Sequence, residues 1–439
     1  MTVKSPLFSI VIPTRNRAHL LPHALQSALN QQFDDYEIII VANNCQDNTR
    51  EVVHNLANNR VRYFETNETL TMPDNWEFAW QKARGQYVTY LCDDDALVPS
   101  ALATIAKEAL HDTPPIVSWQ DAIYYYPDWN DHSLKNILLL FNFGNQLIED
   151  IPANNQHQQL AHFNFLWSAP IPKLVNCVAN RDFFENYRKQ IGKLFFPIAP
   201  DYSFAWISTQ VCEKIRVINR PLSVRGISDH SIGSNAALGA AAKEFFAEFG
   251  DFDFFSETVN TLPLSINHLA ATFARCNKQM AAKNIPVKPF NTQSLYIALA
   301  KQLAECRNLL TDWLSHAQLL KNNVSDQFPA LIKQINTILL EPPAVQSTES
   351  MRDMHKRIRL MALEYLPNID IAINHHSGAL ACGLSSLALK DEILSDKTWS
   401  YLYVFGEEIM AHTIYAISTH VDRYYDFLVH CKNKLKVSQ

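Results

Sequence analysis

Glycine is scarce in this chain, which has only 10 glycines among 439 residues. No segment matches GxGxxG or GxxxxGK[ST], the patterns in which glycines let backbone amides approach a phosphate. The sequence therefore argues against a Rossmann dinucleotide site and against a P-loop. Any phosphate bound by this chain needs a different anchor, and a metal ion is the natural alternative to a glycine-rich nest.

Three further absences limit the class of protein. The eight cysteines include no CxxC pair, which predicts a reducing, cytoplasmic environment. No run reaches the roughly 18 to 20 apolar residues that span a bilayer, and no basic-then-apolar leader is visible, so we expect at most peripheral membrane contact. The formal charge of -6 gives no global attraction to nucleic acid, and we predict no nucleic-acid partner.

What the N-terminal part does contain is a regular alternation of strand and helix patterns. Short apolar runs at 8–12, 36–41, 61–64 and 87–92 alternate with helical patterns near 21–29, 47–56 and 76–83, the last ending at Gly85. Alternation of this kind predicts an α/β fold with a mostly parallel sheet flanked by helices. Ligands of such sheets bind outside the carboxyl ends of the strands.

Polar clusters follow these strands at 14–17, at 43–47 and at the triplet Asp93-Asp94-Asp95. Three adjacent carboxylates at the end of a buried strand repel one another unless a cation lies between them, so the triplet predicts a divalent metal site. The alternative is an acidic N-terminus for the helix that the pattern at 101–109 predicts.

Four segments carry a resemblance: FSIVIPTRNR from residue 8, IIIVANNCQDNT from 38, NWEFAWQKARGQYVTYL from 75 and DDDALVPSAL from 93. In this order and spacing they resemble the nucleotide-sugar domain of family-2 glycosyltransferases with the GT-A fold. The match covers about residues 7 to 126, with a looser continuation to about 235. The resemblance implies inverting transfer from a nucleotide-diphosphate sugar, usually UDP-linked, with Mn²⁺ or Mg²⁺ bridging a DxD carboxylate and the diphosphate.

The resemblance also implies roles for individual residues. Asp95 is the expected metal ligand, with Asp93 as a second ligand, while Asp93 and Asp94 contact ribose or metal-bound water. The register stays open, because relatives with a DxDD pattern align their first Asp with Cys92. Thr14 and Arg17 are expected to line the nucleotide pocket.

Asn43 is a departure from the family pattern. Many relatives have an Asp at position 42 or 43 that pairs with uracil, and here Asn43 would contact the base through its amide. The alternative is that residues 43–47 form a turn, with Asp47 as a helix cap.

An inverting transferase needs a general base, which the resemblance places about a hundred residues beyond the DxD motif. Asp201 is the expected base, with an ordinary helix cap as the alternative, and Asp182 and Glu185 are weaker candidates. His230 lies in a segment that resembles the family's closing loop, where it would approach the metal or the phosphate. An ordinary loop histidine is the alternative.

The remaining sequence predicts the domain organisation. Residues 1–240 form the GT-A-like domain, in which 127–176 is a divergent insertion that either recognises the acceptor or packs on its own small core. Residues 241–439 predict an all-α region with a linker at 341–350, which packs on the first domain or forms a homo-oligomer. The acceptor, whether glycan, protein or lipid-linked, is not identified by any motif.

Two other functions are compatible with these patterns. A nucleotidyltransferase also uses aspartates and a divalent ion, but it normally shows a glycine-rich basic segment near the N-terminus, which is absent here. A noncatalytic interaction protein on a decayed transferase domain is the second alternative, and the intact Asp triplet argues against it.

Overall fold

The computed structural model describes residues 5–129, 137–140, 146–164, 170–228, 258–259, 262, 264–307, 310, 312–340, 402–405, 414, 418 and 421. Its strands are β1 (Phe8–Thr14), β2 (Tyr36–Ala42), β3 (Val61–Glu65), β4 (Tyr87–Tyr90), β5 (Ala96–Leu97), β6 (Ile116–Trp119), β7 (Ala122–Tyr125), β8 (Ile137–Leu140), β9 (Ile148–Pro152), β10 (Cys177–Asn180), β11 (Lys214–Ile218), β12 (Ser223–Ile227) and β13 (Leu402–Phe405).

The helices fall into an N-terminal and a C-terminal group. They are α1 (Leu21–Leu29), α2 (Thr49–Leu56), α3 (Met72–Lys82), α4 (Ala101–Ala109), α5 (Ala153–Ala161), α6 (Arg181–Ile191), α7 (Pro200–Val211), α8 (Ser265–Ala281), α9 (Thr292–Glu305), α10 (Trp313–Gln327) and α11 (Ile332–Leu340), with a 3₁₀ turn at Pro329–Leu331. The predicted α/β fold with a helical C-terminal region is confirmed.

The main sheet has the strand order β3-β2-β1-β4-β10-β6-β11-β9. Strands β3, β2, β1 and β4 pair in parallel, as do β6 and β11, whereas β10 is antiparallel to both of its neighbours. The predicted mostly parallel sheet is therefore confirmed. Parallel pairing brings the carboxyl ends of β1, β2 and β4 to one edge, which is where the polar clusters lie.

Helices cover both faces of this sheet, as expected for strands that are apolar on both sides. Along β1, Ile10 and Ile12 pack with α1 and α4, while Val11 between them packs on the opposite face with Trp76 of α3. The side chains of β1 and β2 are therefore almost entirely buried, and the strands form a rigid support for the loops that follow them.

A smaller sheet, with the order β13-β8-β7-β12-β5, lies beside the main one. Strand β12 pairs antiparallel with β5, directly after the Asp triplet, and parallel with β7. Strand β13 pairs antiparallel with β8, although the sequence pattern predicts a helix over 398–430. Because β13 comes from the distant C-terminal part of the chain, its pairing is a long-range contact that local periodicity does not report.

The helical region packs against the end of the N-terminal part. Helix α8 lies on α7, and one hydrophobic core includes Trp206 of α7, Phe273 of α8 and Leu299 of α9. The rings of Trp206 and Phe273 stack with centroids 4.1 Å apart. The predicted domain boundary near 240 and the predicted linker at 341–350 lie outside the described residues.

The end of helix α3 differs from the sequence prediction. Helix α3 ends at Lys82 with Ala83 as its cap, so Gly85 does not terminate it. Instead Gly85 lets the chain pass close to β1, since a Cβ at this position would lie 2.5 Å from the backbone nitrogen of Ser9.

In the insertion, β9 forms the edge of the main sheet, and Gln156 and His157 of α5 are buried. Asn154, Asn155, Gln158 and Gln159 of the same helix are exposed, so acceptor recognition by the insertion stays a prediction.

Candidate active site

The first part of the site is the contact between the end of β1 and the Asp triplet. The hydroxyl of Thr14 donates a hydrogen bond of 2.7 Å to Oδ2 of Asp93. Arg17, in the loop after β1, donates from Nη1 to Oδ1 of Asp93 at 3.0 Å and lies 3.3 Å from Oδ2 of Asp94. The predicted convergence of Thr14, Arg17 and the triplet is thus observed.

Asp93, Asp94 and Asp95 are all buried, with 5–7 % of each residue exposed. Burial raises the pKa of Asp93, and the Arg17 charge opposes that effect. Burial and the adjacent charge of Asp94 raise the pKa of Asp95 well above its usual range. Carboxylates that resist ionisation in this way are stabilised when a cation binds between them.

The cation geometry favours one part of the triplet. The ligand atoms of Cys92, Asp94 and Asp95 all lie within 4.8 Å of one another. Oxygen ligands lie about 2.0–2.6 Å from Mg²⁺ or Ca²⁺, so two ligands of one such ion are at most about 5 Å apart. The carboxylates of Asp94 and Asp95 therefore fit a hard divalent ion such as Mg²⁺ or Mn²⁺, whereas Cys92 offers a soft thiol whose pKa burial raises well above its usual range. Asp93 accepts from Thr14 and Arg17, and its predicted metal role stays a prediction.

The small sheet holds the triplet from the other side. The backbone N–H of Gly226 in β12 donates to Oδ1 of Asp95 at 2.9 Å. The hydroxyl of Tyr126 donates to the backbone oxygen of Asp94 at 3.1 Å. A Cβ on Gly226 would lie 2.0 Å from that same oxygen, so only glycine fits between the two segments. The triplet therefore contacts the end of β1 on one side and β12 on the other.

Next to the triplet lies a second group of charged residues. Arg225 of β12 forms an ion pair with Asp121, and the hydroxyl of Ser223 donates to the same carboxylate at 2.6 Å. Lys173, in the segment before β10, is 3 % exposed and lies with its ammonium 5.7 Å from the ring centre of Tyr202. Burial lowers the pKa of Lys173 to about 8.

Asp201 occupies the first turn of α7 and is partly buried. The observed cap of α7 is Ala199, so the alternative that Asp201 serves only as the cap residue is not what the structure shows. Burial raises the pKa of Asp201, and the charges of Lys173 and Arg225 oppose that rise. A carboxylate with a raised pKa is a suitable proton acceptor near neutral pH.

Asn43 and Asp47, in the second polar cluster, form hydrogen bonds with the backbone of neighbouring loops. The side-chain oxygen of Asn43 accepts from the backbone N–H of Leu70 at 2.9 Å, and its nitrogen donates to the Leu70 carbonyl at 2.9 Å. Asp47 accepts from the backbone N–H groups of Ala18 and Thr49. Both side chains tie loops of the site edge together, and base contact by Asn43 stays a prediction.

Three further residues were candidates from the sequence: Glu185, Asp182 and His230. Glu185 accepts from the Trp80 indole at 3.1 Å and pairs with Arg188, which makes it part of a structural network between α3 and α6. Asp182 is exposed at 93 % of its side chain beside Arg181. His230 lies outside the described residues.

Sequence reasoning did not assign roles to Gly226, Arg225 or Lys173. The one available signal was Lys173 itself, a single charge in the otherwise apolar run Ile171-Pro172-Lys173-Leu174-Val175. A charged residue in such a run is buried only if it has a local reason. Nothing local identifies Gly226, because its neighbour Asp94 is distant in the sequence.

A family model described as glycosyl transferase family 2 matches residues 9–168. Two curated relatives match a similar segment. The GalNAc(5)-diNAcBac-PP-undecaprenol beta-1,3-glucosyltransferase of Campylobacter jejuni is 39% identical over 107 residues, which is 24% of this chain and 35% of the relative. Chondroitin synthase of Pasteurella multocida is 37% identical over 110 residues, 24% of this chain and 11% of the relative. The chain thus covers only about a third or less of the length of these relatives.

Solved structures were also compared with the whole chain. S. aureus TarS residues 1–349 in complex with UDP-GlcNAc has a TM-score of 0.42 and 14% identity, covering 79% of this chain and 91% of that one. The mannosyltransferase of Pyrobaculum calidifontis in complex with GDP-Man and Mn²⁺ has a TM-score of 0.38 and 16% identity, covering 77% and 86%. Likeness at this level carries no argument about ligands. Among the described helices, none combines the length and apolar character needed to cross a bilayer.

Proposed function

We propose that the protein is an inverting glycosyltransferase, because residues 9–168 match the family model described as glycosyl transferase family 2. It moves a sugar from a nucleotide-diphosphate donor, with UDP-sugars favoured by the family resemblance, to an acceptor hydroxyl. The observation that supports this most directly is the buried cluster of Asp93, Asp94 and Asp95, with the Arg17 guanidinium against it, at the carboxyl edge of the sheet.

The donor side of the reaction uses this cluster. Asp94 and Asp95 are the residues that would hold Mg²⁺ or Mn²⁺, which would supply positive charge for the departing diphosphate. Thr14 and Arg17 fix Asp93 and keep the loop after β1 at the site. A guanidinium such as that of Arg17 is suited to contact a phosphate or a base edge. Gly226 holds Asp95 through its backbone N–H, so the carboxylate does not need to reorganise when the donor binds.

The acceptor side uses Asp201. In a single displacement the acceptor oxygen forms a bond to the anomeric carbon while the bond from that carbon to the phosphate oxygen breaks. Asp201 takes the proton from the attacking hydroxyl, and the nucleoside diphosphate leaves with the electron pair. The Asp triplet, which serves the donor, follows β4, whereas Asp201, the proposed base, lies in α7. The two roles therefore belong to separate parts of the chain.

A screen of nucleotide sugars tests the proposal. UDP-glucose, UDP-GlcNAc, UDP-GalNAc and GDP-mannose are each offered with Mg²⁺ or Mn²⁺. Binding is measured by calorimetry and nucleoside diphosphate release by a coupled assay, with water as the default acceptor. We expect metal-dependent binding and slow release with at least one donor. Neither binding nor release with any donor, in either metal, would contradict the proposed function.

A pair of substitutions separates the two halves of the site. Asp95→Asn removes a carboxylate from the metal cluster and should abolish the metal dependence of donor binding. Asp201→Asn should leave donor binding intact and lower the transfer rate by about 10²–10⁴-fold, the usual contribution of a general base.

The control for this pair is Asp182→Asn, an exposed residue of α6 whose loss should change neither binding nor rate. If Asp201→Asn transfers sugar at the wild-type rate, the base is a different residue.

A further inference from the structure

The two faces of the small sheet differ in how far they are buried. On one face, Tyr124 of β7 and Val224 of β12 are almost fully buried. Gly226 pairs in register with Tyr124 and shares this face, where a Cβ on it would meet the Asp94 carbonyl and the Tyr126 ring. This face is therefore closed by packing against the segment of the Asp triplet.

The opposite face of the same strands is partly exposed. Side chains alternate along a strand, so Tyr125 of β7 and Arg225 and Ile227 of β12 point away from the closed face, and each is partly exposed. Trp129 follows β7, and its ring centre lies 5.8 Å from that of Tyr125. We call Tyr125, Trp129, Arg225 and Ile227 the open face. It lies where the parallel strands β7 and β12 end, the edge at which ligands of parallel sheets bind.

Arg225 is fixed in place by one side of its guanidinium. Asp121 forms an ion pair with Nη2 of Arg225, and its other carboxylate oxygen accepts from the Ser223 hydroxyl at 2.6 Å. That hydroxyl accepts in turn from the Trp119 indole at 2.7 Å. Within the described part of the chain, the guanidinium has no other hydrogen bond, so Nε and Nη1 keep their donors. A guanidinium that is held at one end and has unused donors is prepared to bind the oxygen atoms of a ligand.

Trp129 carries a donor that lacks an acceptor. Its Nε1 is shielded from solvent and bonds to none of the described residues, although the residue as a whole is partly exposed. The indole N–H of a buried tryptophan usually has a partner, and a donor without one costs free energy until an acceptor is supplied. Tyr125 and Trp129 together therefore offer a ligand both ring surface and a hydrogen-bond donor.

The open face begins at the residue that contacts the metal cluster. Gly226 lies between Arg225 and Ile227 on β12, and its backbone N–H donates to Oδ1 of Asp95 at 2.9 Å. The predicted nucleotide contacts lie on the other side of the triplet, at the end of β1. A ligand on the open face would therefore lie beside the donor without occupying the nucleotide pocket.

We propose that the open face is the acceptor subsite and that it takes a pyranose ring of a carbohydrate acceptor, which stacks on Tyr125 and Trp129 while its hydroxyls accept from Arg225. This inference rests on the proposed function and names the acceptor class for it. A pyranose has an apolar face of C–H groups and a rim of hydroxyls. Aromatic rings bury the first, and guanidinium donors bind the second.

The strand order argues against a peptide as the occupant. An extended peptide binds to a sheet by pairing with an unpaired edge strand. Strand β7 has β8 and β12 as neighbours, and β12 has β7 and β5, so neither strand of the open face presents a free edge. Recognition here must therefore use side chains. Free saccharides and lipid-linked saccharides present the same ring to them, and the experiment separates these two sources.

The first part of the experiment identifies the acceptor class with the full-length protein. Nucleoside diphosphate release from the best donor of the screen is measured with water alone, then with the methyl and octyl glycosides of glucose, galactose and N-acetylglucosamine, and with a peptide rich in serine and threonine. We expect at least one glycoside to accelerate release above the rate in water. Acceleration by an octyl glycoside but not by its methyl counterpart would assign a lipid-linked saccharide.

The second part tests the aromatic pair with that glycoside. Trp129→Ala should raise its KM about tenfold with little change in kcat, a typical cost of truncating an aromatic contact at a binding site. Trp129→Phe keeps a ring and should recover most of this loss. Calorimetric affinity for the donor should stay close to that of the wild type in both variants, because the open face lies outside the nucleotide pocket.

Tyr187→Ala is the matched control. Tyr187 forms a similar pair with Phe183 on α6, with ring centres 5.3 Å apart and planes at 52°, against 53° for Tyr125 and Trp129. Its loss should not change the KM for the glycoside. Thermal unfolding is measured for every variant, and Tyr125→Leu replaces Trp129→Ala, with the same expected rise in KM, if the latter does not fold.

The inference is overturned if donor is released into water but no glycoside accelerates release, or if only the peptide does. It is also overturned if the folded Trp129→Ala protein keeps the wild-type KM, if Trp129→Phe loses as much as Trp129→Ala, or if Tyr187→Ala raises KM equally. Absence of donor binding and release in the wild type would instead count against the proposed function.

Discussion

Gly226 shows how closely the two sheets approach each other at the site. Its N–H holds Asp95, and its missing side chain leaves room for the Asp94 carbonyl and for the Tyr126 ring. A Cβ would lie 2.0 Å from the carbonyl oxygen and 2.6 Å from Cε2 of the ring. Moving backbone atoms aside costs free energy, so any larger residue must displace the triplet.

We therefore expect Gly226→Ala to move the Asp triplet and to lower turnover about a hundredfold, the loss that a displacement of about 1 Å can cause. Metal-dependent donor binding should weaken as well, because Asp95 loses its fixed position. Calorimetric titration of donor with Mn²⁺, together with steady-state rates, checks the expectation.

The matched control is Gly192→Ala. Gly192 has φ of +102°, so alanine is strained there, but the nearest atom beyond its chain neighbours is the Gln279 amide at 3.8 Å. This variant should lose stability without losing donor affinity. Equal donor affinity in both variants would show that Gly226 is not needed to hold Asp95.

Sequence reasoning at the scale of single residues succeeded for Thr14, Arg17 and the Asp triplet. These side chains lie at the ends of β1 and β4, two neighbouring parallel strands, and parallel pairing brings them to one edge of the sheet. The metal role of Asp93 stays a prediction, and the sequence did not show that the Thr14 hydroxyl reaches this carboxylate.

At the scale of elements, the loops at the carboxyl edge are connected by side-chain hydrogen bonds to backbone. Asn43, at the end of β2, binds both the N–H and the carbonyl of Leu70 in the loop before α3. Its oxygen also accepts from the Thr66 hydroxyl at 3.2 Å. Asn43 is 3 % exposed, so these bonds are shielded from water.

Asn43→Ala should lower the free energy of unfolding by about 1–3 kcal/mol, the cost of leaving buried polar partners unsatisfied. Urea denaturation measures this change. A role in holding the loop predicts that affinity for UDP and GDP falls in the same proportion. A role in reading the base predicts that their ratio changes, and calorimetry with both nucleotides distinguishes the two.

Gln46→Ala is the control for this prediction, because among the described residues the exposed Gln46 side chain donates hydrogen bonds to Asn44 alone. Its stability should stay near that of the wild type. If Gln46→Ala loses as much stability as Asn43→Ala, the loss is general to substitutions at this edge of the sheet. It would then not show that Asn43 holds the loop.

At the scale of the whole molecule, the helical region reaches the segment that carries the proposed base. The hydroxyl oxygen of Thr272, in α8, accepts from the backbone N–H of Ile198 at 2.9 Å and of Ala199 at 3.4 Å. These residues lie directly before Pro200 and Asp201 at the start of α7. Thr272 is fully buried, so the two donors have no water to replace it.

We expect Thr272→Val, which keeps the shape but removes the acceptor, to lower the free energy of unfolding by about 1–3 kcal/mol. It should also lower kcat more than donor affinity, because the start of α7 shifts while the Asp triplet does not. Urea denaturation and steady-state kinetics with the best donor provide the measurements.

Thr337→Val in α11 serves as the matched substitution, since the Thr337 hydroxyl donates only to a carbonyl one turn earlier on an exposed helix. It should change neither quantity. An unchanged kcat in a folded Thr272→Val protein would show that the helical region does not position α7.

The sequence by itself determined the α/β order, the helical character of the C-terminal region and the location of the Asp triplet. These follow from local periodicity and from the rule that parallel strands end at a common edge, both of which are readable from neighbouring residues. Only the tertiary structure decided which carboxylates meet Arg17, that the Gly226 N–H holds Asp95 and that Thr272 supports α7. The physical reason is that each of these contacts joins segments far apart in the chain, and packing rather than local pattern brings them together.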